Sequence, residues 1–155
     1  MFKQTEELEM AGIPHLDKVK IDIIAAKGAG SDIDWSHDVK SAGHSNGKKI
    51  KLPNGVGYLL EFSLKRNGLD VRFDAKAPFY CKDGTVDPCP SDISTDQIMV
   101  SECSGDYLAV IDWNYGTARD LRYQLNFVTE TGGHVNPYDP IIENGGGGIK
   151  PIINI

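Results

Sequence analysis

Asn67-Gly68 stands between two runs in which apolar residues recur at every second position. On one side Tyr58, Leu60, Phe62 and Leu64 alternate with Gly57, Leu59, Glu61 and Ser63; on the other Leu69, Val71 and Phe73 alternate with Asp70, Arg72 and Asp74. Period-two patterning is that of a strand with one buried face. An Asn-Gly pair accepts the positive φ angles of a type I′ turn, whose twist matches the flanking strands. The sequence therefore predicts a β-hairpin over residues 57–75.

The same period recurs along the chain. Val19, Ile21 and Ile23 alternate with Lys20 and Asp22, and Ile50 and Leu52 alternate with Lys49 and Lys51 ahead of Pro53-Asn54-Gly55. The runs Ile98-Met99-Val100 and Tyr107 to Trp113 are joined by Ser104-Gly105-Asp106 and predict a second hairpin. Leu121, Tyr123, Leu125 and Phe127 form a further alternating run, and Ile141-Ile142 and Ile149 to Ile153 close the chain. Residues 29–47 are small and polar apart from Ile33, Trp35 and Val39, and read as a long loop. Gly12 and Pro14 break the one short helical stretch, Thr5 to Met10. The expectation is an all-β antiparallel β-sandwich of the immunoglobulin-like or jelly-roll type, with seven or eight strands and under about 15% helix. It divides into a short N-terminal arm, residues 1–17, and a sandwich domain, residues 18–155.

Composition agrees with this reading and narrows the function classes. Seventeen glycines, eight prolines and a preponderance of Asp over Glu favour turns over helices. The formal net charge is −6, and residues 83–118 hold seven acids and no base. Such a middle repels phosphate backbones, and Lys48-Lys49-Lys51 is too small a cluster for a nucleic-acid stripe. No apolar run approaches the length of a membrane span. The first nine residues carry three acids and no continuous apolar stretch, so a cytoplasmic location is expected. In that compartment the odd set Cys81, Cys89 and Cys103 reads as free thiols, with a Cys81–Cys89 bridge as the alternative for an exported chain.

Several patterns invite a chemical reading. Lys27-Gly28-Ala29-Gly30 follows a strand, but Ile33 takes the place of the third glycine of a dinucleotide-binding turn. Gly145-Gly146-Gly147-Gly148 lacks the Lys-Ser/Thr ending of a phosphate loop, and reads as a flexible connector or a tight approach of two strands. Cys103, His134 and Asn136 have the residue types of a thiol hydrolase without a helix N-terminus to activate the thiol. Asp32, Asp34 and Asp38, with His37 between them, place three carboxylates and an imidazole within seven residues. Oxygen ligands of this kind suit calcium, or with His37 a hydrolytic metal. Asp83, Asp87, Asp92 and Asp96 form a second acidic group. Trp35, Trp113, Tyr115 and Tyr138 fall at strand ends or in loops, where flat rings stack on sugars or on a protein partner.

Leu121 to Val128, a polar turn, and then Tyr138-Asp139-Pro140-Ile141-Ile142 resemble the closing strands of the inclusion-body protein family of small bacterial sandwich proteins. That resemblance implies a cytoplasmic, non-enzymatic β-sandwich that self-associates. Asp139-Pro140 is expected to end pairing at a sheet edge, because proline donates no ladder hydrogen bond. Taken together, the sequence points to a binding or self-assembly protein without a cofactor, forming a homo-oligomer through the N-terminal arm or the Ile-rich C-terminal strand. The rival is a metal-dependent hydrolase or a calcium- or carbohydrate-binding module using residues 32–38.

Overall fold

The computed structural model describes residues 15–150. Twelve strands follow in chain order: β1 (Leu16–Lys27), β2 (Ile33–Val39), β3 (Ser45–Asn46), β4 (Lys49–Leu52), β5 (Gly57–Lys65), β6 (Arg72–Phe73), β7 (Phe79–Asp83), β8 (Ile98–Cys103), β9 (Tyr107–Asp112), β10 (Arg119–Leu125), β11 (Phe127–Val128) and β12 (Ile141–Asn144). Two five-stranded sheets, ordered β2-β1-β5-β9-β8 and β3-β4-β12-β10-β7, pack face to face, and β6 pairs with β11 as a small third sheet. No helix among the described residues is long and apolar enough to cross a membrane.

The all-β sandwich stands, with two corrections. Among the described residues the strands number twelve rather than seven or eight, because β2 and β3 fall within residues 29–47 that read as a loop, β7 in a stretch with no run assigned to it, and the run from Leu121 to Phe127 divides into β10 and β11. Nor are the sheets purely antiparallel: β1 runs parallel to β5 from Leu16↔Gly57 to Ile24↔Lys65, and β12 runs parallel to β4. Parallel neighbours need a crossover. Here residues 28–56 supply it, turning back along β1 as β2 and passing through β3 and β4 of the other sheet before β5 returns.

The core lies between the sheets. Val19, Ile21 and Ile23 of β1 and Tyr58, Leu60 and Phe62 of β5 point inward, as their period requires, against Ile50, Leu52, Phe79, Leu121, Tyr123, Leu125 and Ile142. Phe79 and Tyr123 stack at 5.3 Å, and Phe62 tilts against both at about 6 Å.

The turn at Asn67-Gly68 forms, but the hairpin does not. Asn67 and Gly68 take φ of 52° and 79°, and Leu69 N–H donates to Arg66 O at 3.0 Å. The Asn67 amide also donates to Ala25 O, pinning the turn to β1. Both edges of β5 are already occupied, by β1 and β9, so the chain beyond the turn leaves the sheet and pairs as β6 with β11. The β8–β9 hairpin forms as expected, with a bulge between Val100 and Glu102.

Asp139-Pro140 does not end pairing at an edge. β12 sits between β4 and β10, and the ladder runs on past the proline: Tyr123 N–H donates to Pro140 O, and Leu125 pairs with Tyr138. The proline removes one donor from one rung. Of the expected arm, Leu16 and Asp17 already belong to β1, and residues 1–14 lie outside the described residues, as do residues 151–155 of the Ile-rich tail.

Candidate functional site

Residues 29–47 are not a loop throughout: Ile33 to Val39 form β2, an edge strand antiparallel to β1. Alternation puts Asp34, Ser36 and Asp38 in solvent, while Ile33, Trp35, His37 and Val39 are half-buried. This separates the expected ligands. Asp34 and Asp38 stand four residues apart on one face, about 13 Å along a strand, and Asp38 accepts from Lys40 Nζ at 3.1 Å. Asp32 lies in the preceding turn, its backbone bonded to Gly28 and Ala29. Among the described residues no group of three His, Cys, Asp or Glu side chains is gathered so as to hold a metal ion. The second acidic group is dispersed as well: Asp83 faces Thr95 and Arg119, Asp87 faces Arg122, and Asp96 faces Tyr115 and Lys150.

The inner face of β2 is fastened to residues 127–138. Trp35 stacks on Phe127 with ring centroids 4.0 Å apart and donates Nε1–H to Asn136 O at 2.8 Å. The Asn136 side chain accepts from Ile33 N–H and donates to Ile33 O, both at 2.8 Å, as a neighbouring strand would. His37 Nδ1 lies 2.5 Å from Tyr138 Oη. Burial lowers the His37 pKa against the opposing pull of Asp38, and burial pushes Tyr138 up to about 12. At neutral pH, then, Tyr138 donates to an uncharged imidazole. Asn136 is thus spent on Ile33, and Cys103 donates its S–H to Ser104 O with its pKa raised by burial. Neither polar contact joins Cys103 to Asn136, so the thiol-hydrolase arrangement has no geometric support. All three cysteines are free: Cys81 is buried in the core, and Cys89 is exposed, donating to Asp139 beside Arg122. No Cys81–Cys89 bridge is present.

The aromatic candidates fall into two groups. Trp35 and Tyr138 meet at β2; Trp113 and Tyr115 lie on the opposite, outward side of the first sheet, where Trp113 is only 3% exposed. There Leu16, Leu59, Ala109, Ile111 and Trp113 form a second buried apolar cluster, flanked by half-buried Met99, Tyr107 and Tyr115. Tyr107 Oη donates to Glu61 at 2.6 Å, and Tyr115 donates to Asp96 with Arg119 and Lys150 near its ring. This cluster is the feature sequence reasoning missed. Its signal was the unbroken apolar runs Leu59-Leu60 and Leu108 to Ile111, which mark strands covered on both faces rather than one.

Where the cluster ends, the two sheets are joined through buried polar side chains. Asn114, fully buried and at φ 50°, donates Nδ2–H to Pro53 O and Val56 O and accepts from Gly146 N–H. The four glycines pass between the 53–56 and 113–118 loops: a Cβ on Gly146 would lie 2.6 Å from Gly116 O, and one on Gly148 2.3 Å from Trp113 O. Tight approach, rather than a flexible connector, is therefore the reason for the glycines. Beside them Asn144 Nδ2–H donates to Asp112 Oδ1 at 2.8 Å and to Gln97 Oε1 at 3.1 Å.

Compared with known families and with curated proteins, the sequence matches no family model and no curated protein.

Proposed function

We propose that this chain is a non-enzymatic β-sandwich that works by binding, and that the binding is self-assembly over the outward face of the first sheet. The observation that carries this is the second apolar cluster. A sandwich sheet exposed to water on its outer face is normally polar there. Here β1, β5 and β9 instead contribute Leu16, Leu59, Ala109, Ile111 and Trp113, with the half-buried rings of Tyr107 and Tyr115 and the thioether of Met99 at the rim.

Both ends of the described chain reach this face. Leu16 belongs to the cluster, and Gly148 bridges to Tyr115 while Lys150 Nζ lies 5.7 Å from the Tyr115 ring. The described residues therefore begin and end beside the same apolar surface. Because the residues of the cluster are only 0–3% exposed within one chain, association proceeds by exchange of the arm or the tail between copies rather than by docking on an open face. The resemblance of the Tyr138 to Ile142 segment to inclusion-body proteins supports the same reading.

Light scattering tests it on the full chain, on a chain lacking residues 1–14 and on one ending at Gly148, with circular dichroism to confirm folding. The expected result is an oligomer in the full chain at tens of micromolar that dissociates when one segment is removed while the β spectrum persists. A full-length monomer at that concentration overturns the proposal.

A further inference from the structure

Asp112 on β9 and Asn144 on β12 hydrogen-bond to each other from the two sheets, and both are buried, at 0% and 3% exposure. Asp112 Oδ1 is well supplied, accepting from Asn144 Nδ2–H at 2.8 Å and from Asn114 N–H at 2.9 Å. Yet Asp112 Oδ2 and Asn144 Oδ1 are both shut away from solvent without a partner. An unpaired buried acceptor costs the desolvation of that atom, and an ionised carboxylate costs more. Both orphans are oxygens, on two side chains already in contact. A proton on Asp112 Oδ2 would remove the buried charge and supply a donor on the side chain already bonded to Asn144, since a carboxylic acid has one donor where a carboxylate has none.

We propose that Asp112 is a proton-held latch between the two sheets: its carboxyl carries a proton on Oδ2 and donates it to Asn144 Oδ1, and loss of that proton weakens the join. Burial raises the Asp112 pKa from its ordinary 3.8 to about 7, prevailing over the hydrogen bonds from Asn144 and Asn114 and the charge of Arg119 at the start of β10, all of which favour the ionised form. Cys81 on β7 faces Asp112 and is neutral, its thiol pushed up by burial and then by Asp112 and Asp83. Gln97 and Thr95 are uncharged. The folded state therefore holds a proton that the unfolded chain releases near pH 3.8. The stability this contributes is fully present below that pH and is lost as pH rises through about 7.

The test is chemical denaturation of the full chain and of Asp112→Asn from pH 5 to pH 8. The Asn amide supplies a permanent hydrogen where the carboxylic acid holds a titrating one. The ratio of unfolding constants, wild type over variant, is expected to rise roughly a hundredfold across that range; a ratio constant within a factor of two overturns the latch. A second measurement does not depend on the variant folding: ¹³C carboxyl titration of the wild-type chain labelled at aspartate. One resonance titrating near neutrality is the expected result, and all aspartates titrating below pH 5 overturn the proposal.

Discussion

The clasp around Asn114 and the edge strand β2 are both tied down by an asparagine side chain imitating backbone, yet they differ in what surrounds the imitation. Asn114 is fully buried and serves three backbone groups, Pro53 O, Val56 O and Gly146 N, in a space that the glycines keep free of side chains. The Asn136 side chain is half-buried and bonds only Ile33. Farther along β2 the register with β1 points the backbone groups of Trp35, His37 and Val39 toward the open edge. The difference teaches that the same chemistry makes a rigid joint when water is excluded and every partner is matched. At a wet edge it makes a local fastening.

Replacing each asparagine sharpens that contrast. Asn114→Ala removes the bonds to Val56 O, to buried Gly146 N–H and to Pro53 O, which keeps Tyr58 Oη as a donor, and leaves a non-glycine residue at φ 50°. A loss of about 2–3 kcal/mol in urea denaturation is expected, taking 1–3 kcal/mol for the buried Gly146 N–H and less for the two carbonyls that water or Tyr58 reaches. Asn136→Ala is expected to cost about 1 kcal/mol, because water reaches Ile33 once the amide is gone. Its clearer sign is faster hydrogen exchange confined to the Ile33 amide, and uniform acceleration across the first sheet would contradict the local role.

The smallest effect is a pH response of opposite sign to that of Asp112. Burial holds the His37 pKa below its ordinary 6.5, so the unfolded chain binds a proton more readily than the folded one just under that pH. Stability from this group is present above about 6.5 and lost as pH falls through the lowered folded value. Protection factors of the β2 amides, which are corrected for the intrinsic pH dependence of exchange, are expected to fall on acidification in wild type and to stay level in His37→Gln. An acid response unchanged in the variant would assign it to another group.

Much of the candidate site was not legible from residue types. Asp32, Asp34 and Asp38 looked like converging ligands because a loop was assumed around them; in β2 the pleat sends Asp34 and Asp38 the same way but far apart. Trp35, Val39 and Ile33 already alternated there, and polar neighbours concealed the period. The outward cluster was concealed differently, since Leu59 stands among polar residues on the face opposite the apolar period and Ile111 lies in the run from Tyr107 to Trp113, whose period distinguishes no face. The Asp112–Asn144 contact joins positions 32 residues apart in different sheets, with no local pattern to announce it.

What the sequence determined by itself was local. Alternating apolar residues specify which side chains of β1 and β5 face inward, Asn67-Gly68 specifies a turn with two positive φ angles, and Ser104-Gly105-Asp106 between apolar runs specifies the β8–β9 hairpin. Each rests on the conformational preferences of a few adjacent residues. Only the tertiary structure decided that β5 lies parallel to β1, that the chain leaves Asn67-Gly68 for β11, and that Asp112 meets Asn144 away from water. A strand offers the same backbone donors and acceptors along both edges, so its partner is selected by which distant apolar faces bury together, and that choice is made by the whole chain.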